Sequence, residues 1–191
     1  MDCEKNTIVS RLNGDERMIS RRPVMKKTLI VVDMQKDFID GALGTEEAQK
    51  IVGKVKEKIA KYKAQGDEII FTRDTHQKNY LETNEGKHLP VVHCIEGTDG
   101  WKIPEQLQVS DAIYLDKPTF GYLHWDRYHL EEVELVGLCT DICVVSNALL
   151  LKAMYPEIKI SVDAACCAGV TPESHKAALT TMKMCQIDVI E

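Results

Sequence analysis

Thr28-Leu29-Ile30-Val31-Val32-Asp33-Met34-Gln35 begins as a short, unbroken apolar run rich in β-branched residues and ends on an acid. A run without polar alternation predicts a strand covered on both faces, as in a parallel sheet. Outward from it the same signature returns at Ile69-Ile70-Phe71-Thr72, at Ala112-Ile113-Tyr114-Leu115 and at Glu134-Leu135-Val136-Gly137. It returns again at Ile158-Lys159-Ile160-Ser161-Val162 and from Ile187 to Ile190. Helical patterns fall between these runs. From Ala48 to Ala64, Ile51, Val52, Val55, Ile59 and Tyr62 share one face with lysines between them, and Gly66 is the expected stop. A helix from about Asp141 to Ala153 follows the fourth run. Thr171-Pro172 reads as an N-cap with proline at the first helical position, opening a helix to about Met184. Strands separated by helices imply right-handed crossovers, and hence an α/β three-layer sandwich around a six-stranded, mainly parallel sheet.

A chain of 191 residues fits one such domain and leaves no room for two large ones. Hydrophobic residues at 44% and charged residues at 28% exclude wholesale disorder and a fibrous repeat. A net charge of -6 argues against nucleic acid as a partner, because a phosphate-tracking surface needs a basic excess. No apolar run approaches the roughly 20 residues that cross a bilayer, so no membrane partner is expected. Met1 to Lys5 has neither the basic nor the apolar region of a secretory signal, and a cytoplasmic location is expected. The cysteine count of 7 is odd and contains no Cys-x-x-Cys pair, which removes a disulfide framework and the commonest zinc-ribbon and thioredoxin-like readings. Core packing is the expected place of Cys166, Cys167 and Cys185.

Residues 1–24 show no sustained periodicity and carry Ser10, Asn13, Gly14, Ser20 and Pro23 with an Arg-rich end. They read as an N-terminal extension, loosely packed if packed at all, before a domain spanning 25–191. A targeting peptide fits less well, given Asp2, Glu4, Asp15 and Glu16.

In open α/β sheets the site lies beyond the carboxyl ends of the strands. The first strand ends at Asp33, the third runs into Lys117, and the fourth is followed by Gly137-Leu138-Cys139-Thr140-Asp141-Ile142-Cys143, with Cys143 in the first turn of a helix. An acid, an ammonium and a thiol from three distant segments thus meet on one edge. A helix start and a nearby ammonium both favour thiolate, and a carboxylate can take the thiol proton and return it to a leaving amine. The second strand ends at Arg73-Asp74-Thr75-His76, and the long connection from Arg73 to Ser110 adds Glu82, Glu85, His88 and His93-Cys94. Asp74 and His76 are two apart, so in extended chain both point the same way and can share one ion. Carboxylate with imidazole suits Zn²⁺, Mn²⁺ or Fe²⁺.

In their flanking sequence, Asp33, Lys117 and Cys143 resemble the catalytic triad of the isochorismatase-like cysteine hydrolases, a Rossmann-like superfamily. Asp74-x-His76 with Pro90-x-x-His93-Cys94-x-x-Gly97-Thr98-x-Gly100 is similar to the metal loop of the nicotinamidases (pyrazinamidases) within it. The likeness runs from Thr28 to the C-terminus. It implies hydrolysis of nicotinamide to nicotinate and ammonia through a cysteine thioester. Asp33 would take the Cys143 proton, Lys117 would hold the pair, and backbone N–H groups of Cys139 and Cys143 would form the oxyanion hole beside a cis Leu138-Cys139 peptide. It further implies one divalent ion, zinc first and manganese or iron otherwise, on Asp74, His76, Glu85 and His93. That ion would orient the pyridine ring against Phe38. Self-association is also implied.

The chain departs from the family pattern in places. Many nicotinamidases carry a second histidine six residues after the first, where this chain has Glu82. Others carry a glutamate nine residues on, which is Glu85, and this is the ligand chosen here, with Glu82 and His88 as alternatives. Leu89 stands where an aromatic usually precedes the proline. Rival readings are a superfamily member acting on another small amide, carbamoyl or vinyl-ether substrate, a thiol redox protein using Cys139 and Cys143, and a non-catalytic zinc module.

Overall fold

The computed structural model describes residues 26–191, so the expected extension over residues 1–24 lies outside the described residues. The strands are β1 (Lys27–Val32), β2 (Glu68–Asp74), β3 (Ile113–Lys117), β4 (Glu132–Leu138), β5 (Lys159–Ala168) and β6 (Asp188–Ile190). They form one six-stranded sheet in the order β3-β2-β1-β4-β5-β6, and every pairing is parallel. The helices are α1 (Lys36–Ile39), α2 (Glu46–Gln65), α3 (Asn84–His88), α4 (Val145–Met154) and α5 (Pro172–Met184).

Side chains alternate across β1 into two apolar layers. Leu29 and Val31 pack with Ile51, Val55, Ile59 and Tyr62 of α2, while Ile30 and Val32 pack with Ala148 and Leu151 of α4 and Met182 of α5. Burial on both faces is why the strand reads as a continuous apolar run. α2 starts before its apolar face does, because the Thr45 hydroxyl accepts the Ala48 N–H at 3.0 Å, and it ends on Gly66 at φ 73°. α5 opens with the expected Thr171 cap, closed reciprocally by Ser174.

Three local differences from the sequence reading have physical causes. β5 continues past Val162 to Ala168, because Asp163, which ends the apolar run in sequence, is paired with Lys58 of α2 and no longer interrupts the strand. Cys166 and Cys167 therefore sit in the core, but Cys185, at the end of α5, is exposed and does not pack there. The helix after β4 starts as a π-turn over Thr140–Val144 before α4.

The sheet order reverses at β1, with β2 on one side and β4 on the other. A crevice at the carboxyl ends is expected at such a point. The register fills it: Val32 pairs with Gly137 and with Thr72, and Asp74 with Lys117. Asp33, Cys139, Asp74 and Lys117 are thus brought to one edge by strand pairing alone. Gly137, at φ 116°, lets β4 pass close under the Val32 carbonyl, where a Cβ would collide.

Candidate active site

Lys117 is the centre of the cluster. Its ammonium is buried and lies 2.6 Å from Asp33 Oδ2, 3.6 Å from Cys143 Sγ, 3.6 Å from Asp74 Oδ1 and 3.1 Å from the Thr119 carbonyl. Burial works against its charge, but Asp33, Cys143 and Asp74 outweigh it and raise its pKa above the usual lysine range. Asp33 adopts a positive φ of 45° at the strand end, and its Oδ1 accepts the Thr72 hydroxyl at 2.7 Å. Desolvation lifts the Asp33 carboxyl above its ordinary value, with Lys117 opposing the rise. Burial and then the Asp33 charge push the Cys143 thiol well above the ordinary thiol range, and Lys117 opposes them. The Lys117 ammonium thus favours thiolate as expected, but burial and the Asp33 charge act against it and outweigh it. The Leu138–Cys139 peptide is cis, as the resemblance implied. The Ile142 and Val144 amides both donate to the Cys139 carbonyl at 3.1 Å.

The second cluster adjoins the first. One donor atom from each of Asp74, His76, Glu85 and His93 lies within 4.8 Å of the others. His76 Nε2 is 2.8 Å from Asp74 Oδ2, yet it is buried with no aligned hydrogen-bond partner, as is Asp74 Oδ1. His93 Nδ1 lies 2.7 Å from the Val91 carbonyl, a contact that needs the proton on Nδ1 and leaves Nε2 facing Asp74 Oδ2, 3.5 Å away, as the atom free to ligate a metal once deprotonated. Burial and the charge of Asp74 raise the Glu85 carboxyl pKa. Two carboxylates and two imidazole lone pairs crowded out of water fit a divalent cation shared among them. Glu82 and His88 are exposed, and His88 Nδ1 is turned onto the Asn84 carbonyl, so of the three candidates Glu85 alone joins the cluster.

Both clusters open into one cavity of about 310 Å³, whose apolar walls include Phe38, Leu89, Phe120, Ile142 and Val170. The Phe38 ring lies 5.5 Å from that of His93. Sequence reasoning missed the residues that hold these groups. Gln35 accepts the Asp74 N–H at 2.7 Å and donates to the Asp74 and Trp101 carbonyls at 2.8 and 2.9 Å. Asp37 accepts the N–H of Cys94, the neighbour of His93, at 2.7 Å. Both follow Asp33 at the sheet's carboxyl edge, the signal that could have marked them. The redox reading loses ground, since Cys139 and Cys143 are free thiols and burial pushes Cys139 up to about 12. Among the described residues no helix is long and apolar enough to cross a membrane.

A parallel sheet with its site at the order reversal, holding an acid, an ammonium and a thiol, is the arrangement of an isochorismatase-like hydrolase. The chain belongs to the isochorismatase family, whose domain matches residues 27–191. It is similar to the pyrazinamidase of Pyrococcus horikoshii, solved in complex with zinc, at 30% identity and TM-score 0.75, covering 87% of this chain and 99% of that one. It is similar to the nicotinamidase/pyrazinamidase of Bacillus subtilis at 27% identity and TM-score 0.75, covering 87% and 100%. The nicotinamidase of Schizosaccharomyces pombe is 26% identical, over 85% of this chain and 91% of that protein.

Proposed function

We propose that the protein hydrolyses nicotinamide to nicotinate and ammonia, with Cys143 as nucleophile, Asp33 as proton carrier and Lys117 as the fixed positive charge. The observation that carries this reading is one ammonium touching Asp33, Cys143 and Asp74 at once, which puts a thiol and a cation site in the same small cavity. Asp33 takes the thiol proton as Cys143 Sγ attacks the amide carbonyl carbon. The carbonyl oxygen, now negative, is received by the backbone N–H groups of Cys139 and Cys143, the amides of Ile142 and Val144 being engaged by the Cys139 carbonyl. Collapse breaks the C–N bond, and ammonia leaves with the proton from Asp33. Asp33 then takes a proton from the water that attacks the thioester, the C–S bond breaks, and the thiol is restored.

Asp74, His76, Glu85 and His93 would hold a divalent ion, zinc first and manganese or iron otherwise, whose chemistry there is to accept a pyridine nitrogen lone pair and so orient the ring. Phe38, against His93, supports the ring on its face. The rival carbamoyl reading is disfavoured where the substrate bears a carboxylate, because among the described residues no lysine or arginine lines the cavity. Six free cysteines among the described residues suit a reducing compartment, and we place the protein in the cytoplasm.

The test is ammonia release from nicotinamide by wild type, by Cys143→Ala and by chelator-treated protein. Wild type turns over, and Cys143→Ala loses at least about 10³-fold in kcat. Chelation abolishes turnover and zinc restores it. Near-normal turnover by Cys143→Ala sinks the nucleophile assignment, and full activity after chelation sinks the metal assignment.

A further inference from the structure

Leu89, Phe120 and Val170 are exposed by 38%, 42% and 53%, and all three border the cavity that contains Cys143 and His93. They come from unrelated segments: the end of α3, the connection after β3, and the turn between β5 and α5. Single exposed apolar residues are ordinary, but three converging on one cavity from separate segments form a wall. Among the described residues that line the cavity, the titratable side chains besides the cysteines are Asp74, Glu85 and His93, all of the cation cluster. The volume, about 310 Å³, reaches the range of roughly 300–1,000 Å³ in which drug-sized ligands are buried. Cys143 and His93 are only 5% and 3% exposed, so they lie deeper in the cavity than this apolar rim.

We propose that the preferred substrates are heteroaromatic carboxamides carrying an uncharged apolar group on the ring carbon that faces away from thiol and cluster, with that group covered by Leu89, Phe120 and Val170. This rests on the amide hydrolysis described above and leaves its bond changes as they are: the C–N bond breaks, ammonia leaves and water supplies the new oxygen. The added group takes no part in bond making. It removes its own surface and that of the rim from water, equally in ground and transition states, so it acts on KM and spares kcat.

The experiment measures kcat and KM for nicotinamide, 5-phenylnicotinamide and 5-carboxynicotinamide with wild type, Phe120→Ser and Val170→Trp. Wild type favours the phenyl compound over nicotinamide by at least about tenfold in kcat/KM, through KM, and disfavours the carboxylate. Phe120→Ser shrinks the phenyl preference to within about threefold. Val170→Trp, which fills the mouth, selectively loses the phenyl compound. If nicotinamide is turned over and the phenyl compound is no better, the rim proposal falls and the amidase reading stands. If none of the three amides is turned over, the amidase reading fails and takes the rim with it. A preference unchanged in both variants overturns the assignment to this rim.

Discussion

Burying the Lys117 ammonium is costly in itself, and it is stable here because two carboxylates and a carbonyl surround it. The same surroundings set the state of its neighbours. Cys143 rests protonated, and Asp33, itself lifted by burial, is a better match for a thiol proton than an ordinary aspartate. Thr72 tunes that match, since its hydroxyl donates to Asp33 Oδ1 and a hydrogen bond to the ionised form lowers the pKa. Thr72→Val keeps the shape and removes the donor, so the Asp33 pKa rises further. The base must be ionised to act, and the acid limb of kcat/KM therefore moves to higher pH, by about one unit for a lost bond to a charged group. A pH–rate profile of the variant whose acid limb coincides with that of wild type removes Asp33 from the role of base. The sequence made Asp33, Lys117 and Cys143 legible because each ends a strand or opens a helix. Thr72 read only as a strand residue, because what an inward-facing hydroxyl meets is set by the β1–β2 register.

Among the elements, the connection between β2 and β3 shows where sequence reading runs out. Its length and its Asp74-x-His76 spacing marked it as functional, but spacing alone could not choose among Glu82, Glu85 and His88. Local backbone chemistry made the choice: the Thr83 hydroxyl caps α3 by accepting the Gly86 N–H at 3.0 Å, which sets Glu85 in the first turn facing His76. Gly86 packs so closely on the Tyr80 carbonyl that a side chain there would collide. The far end of the connection is fastened to α1. The Lys36 and Asp37 amides donate to the Lys102 and Gly100 carbonyls, and the Asp37 carboxylate holds Cys94, whose φ is 46°. α1 is too short to leave a periodic signature, so this attachment was invisible in sequence. Asp37→Ala frees the backbone next to His93, and the zinc dissociation constant rises about tenfold, as for supporting residues of other metal sites. Competition against a chromophoric chelator measures it, with melting of the metal-stripped proteins as the control for folding. Unchanged zinc affinity in a folded variant contradicts the positioning role of Asp37.

Across the whole molecule, α2 is locked onto the sheet by a polar contact as well as by its apolar face. Lys58 is one of the lysines that fall between the apolar residues of α2 in sequence, yet its ammonium reaches inward to Glu134 of β4 and, at 2.7 Å, to Asp163 of β5. The Tyr62 hydroxyl donates to the same Glu134 at 2.7 Å. The helix thus ties together two neighbouring strands that are distant from it in sequence, and helical periodicity cannot reveal such a contact. Burial would raise the Asp163 pKa, but Lys58 overrides it and holds the carboxyl below its ordinary 3.8. A depressed carboxylate contributes stability above its unfolded value and loses it as pH falls through the folded one. Lys58→Met leaves two largely buried carboxylates without their cation and costs about 3 kcal/mol at neutral pH. In the variant, burial without the Lys58 charge makes the Asp163 carboxyl bind a proton more readily than in the unfolded chain, so the variant recovers stability as pH falls toward 4 while wild type gains none from Asp163. Urea unfolding of both proteins across that interval should show the gap narrowing with acidity. A gap that stays constant means the loss is one of packing, and the charge of Lys58 is then irrelevant to how α2 is held.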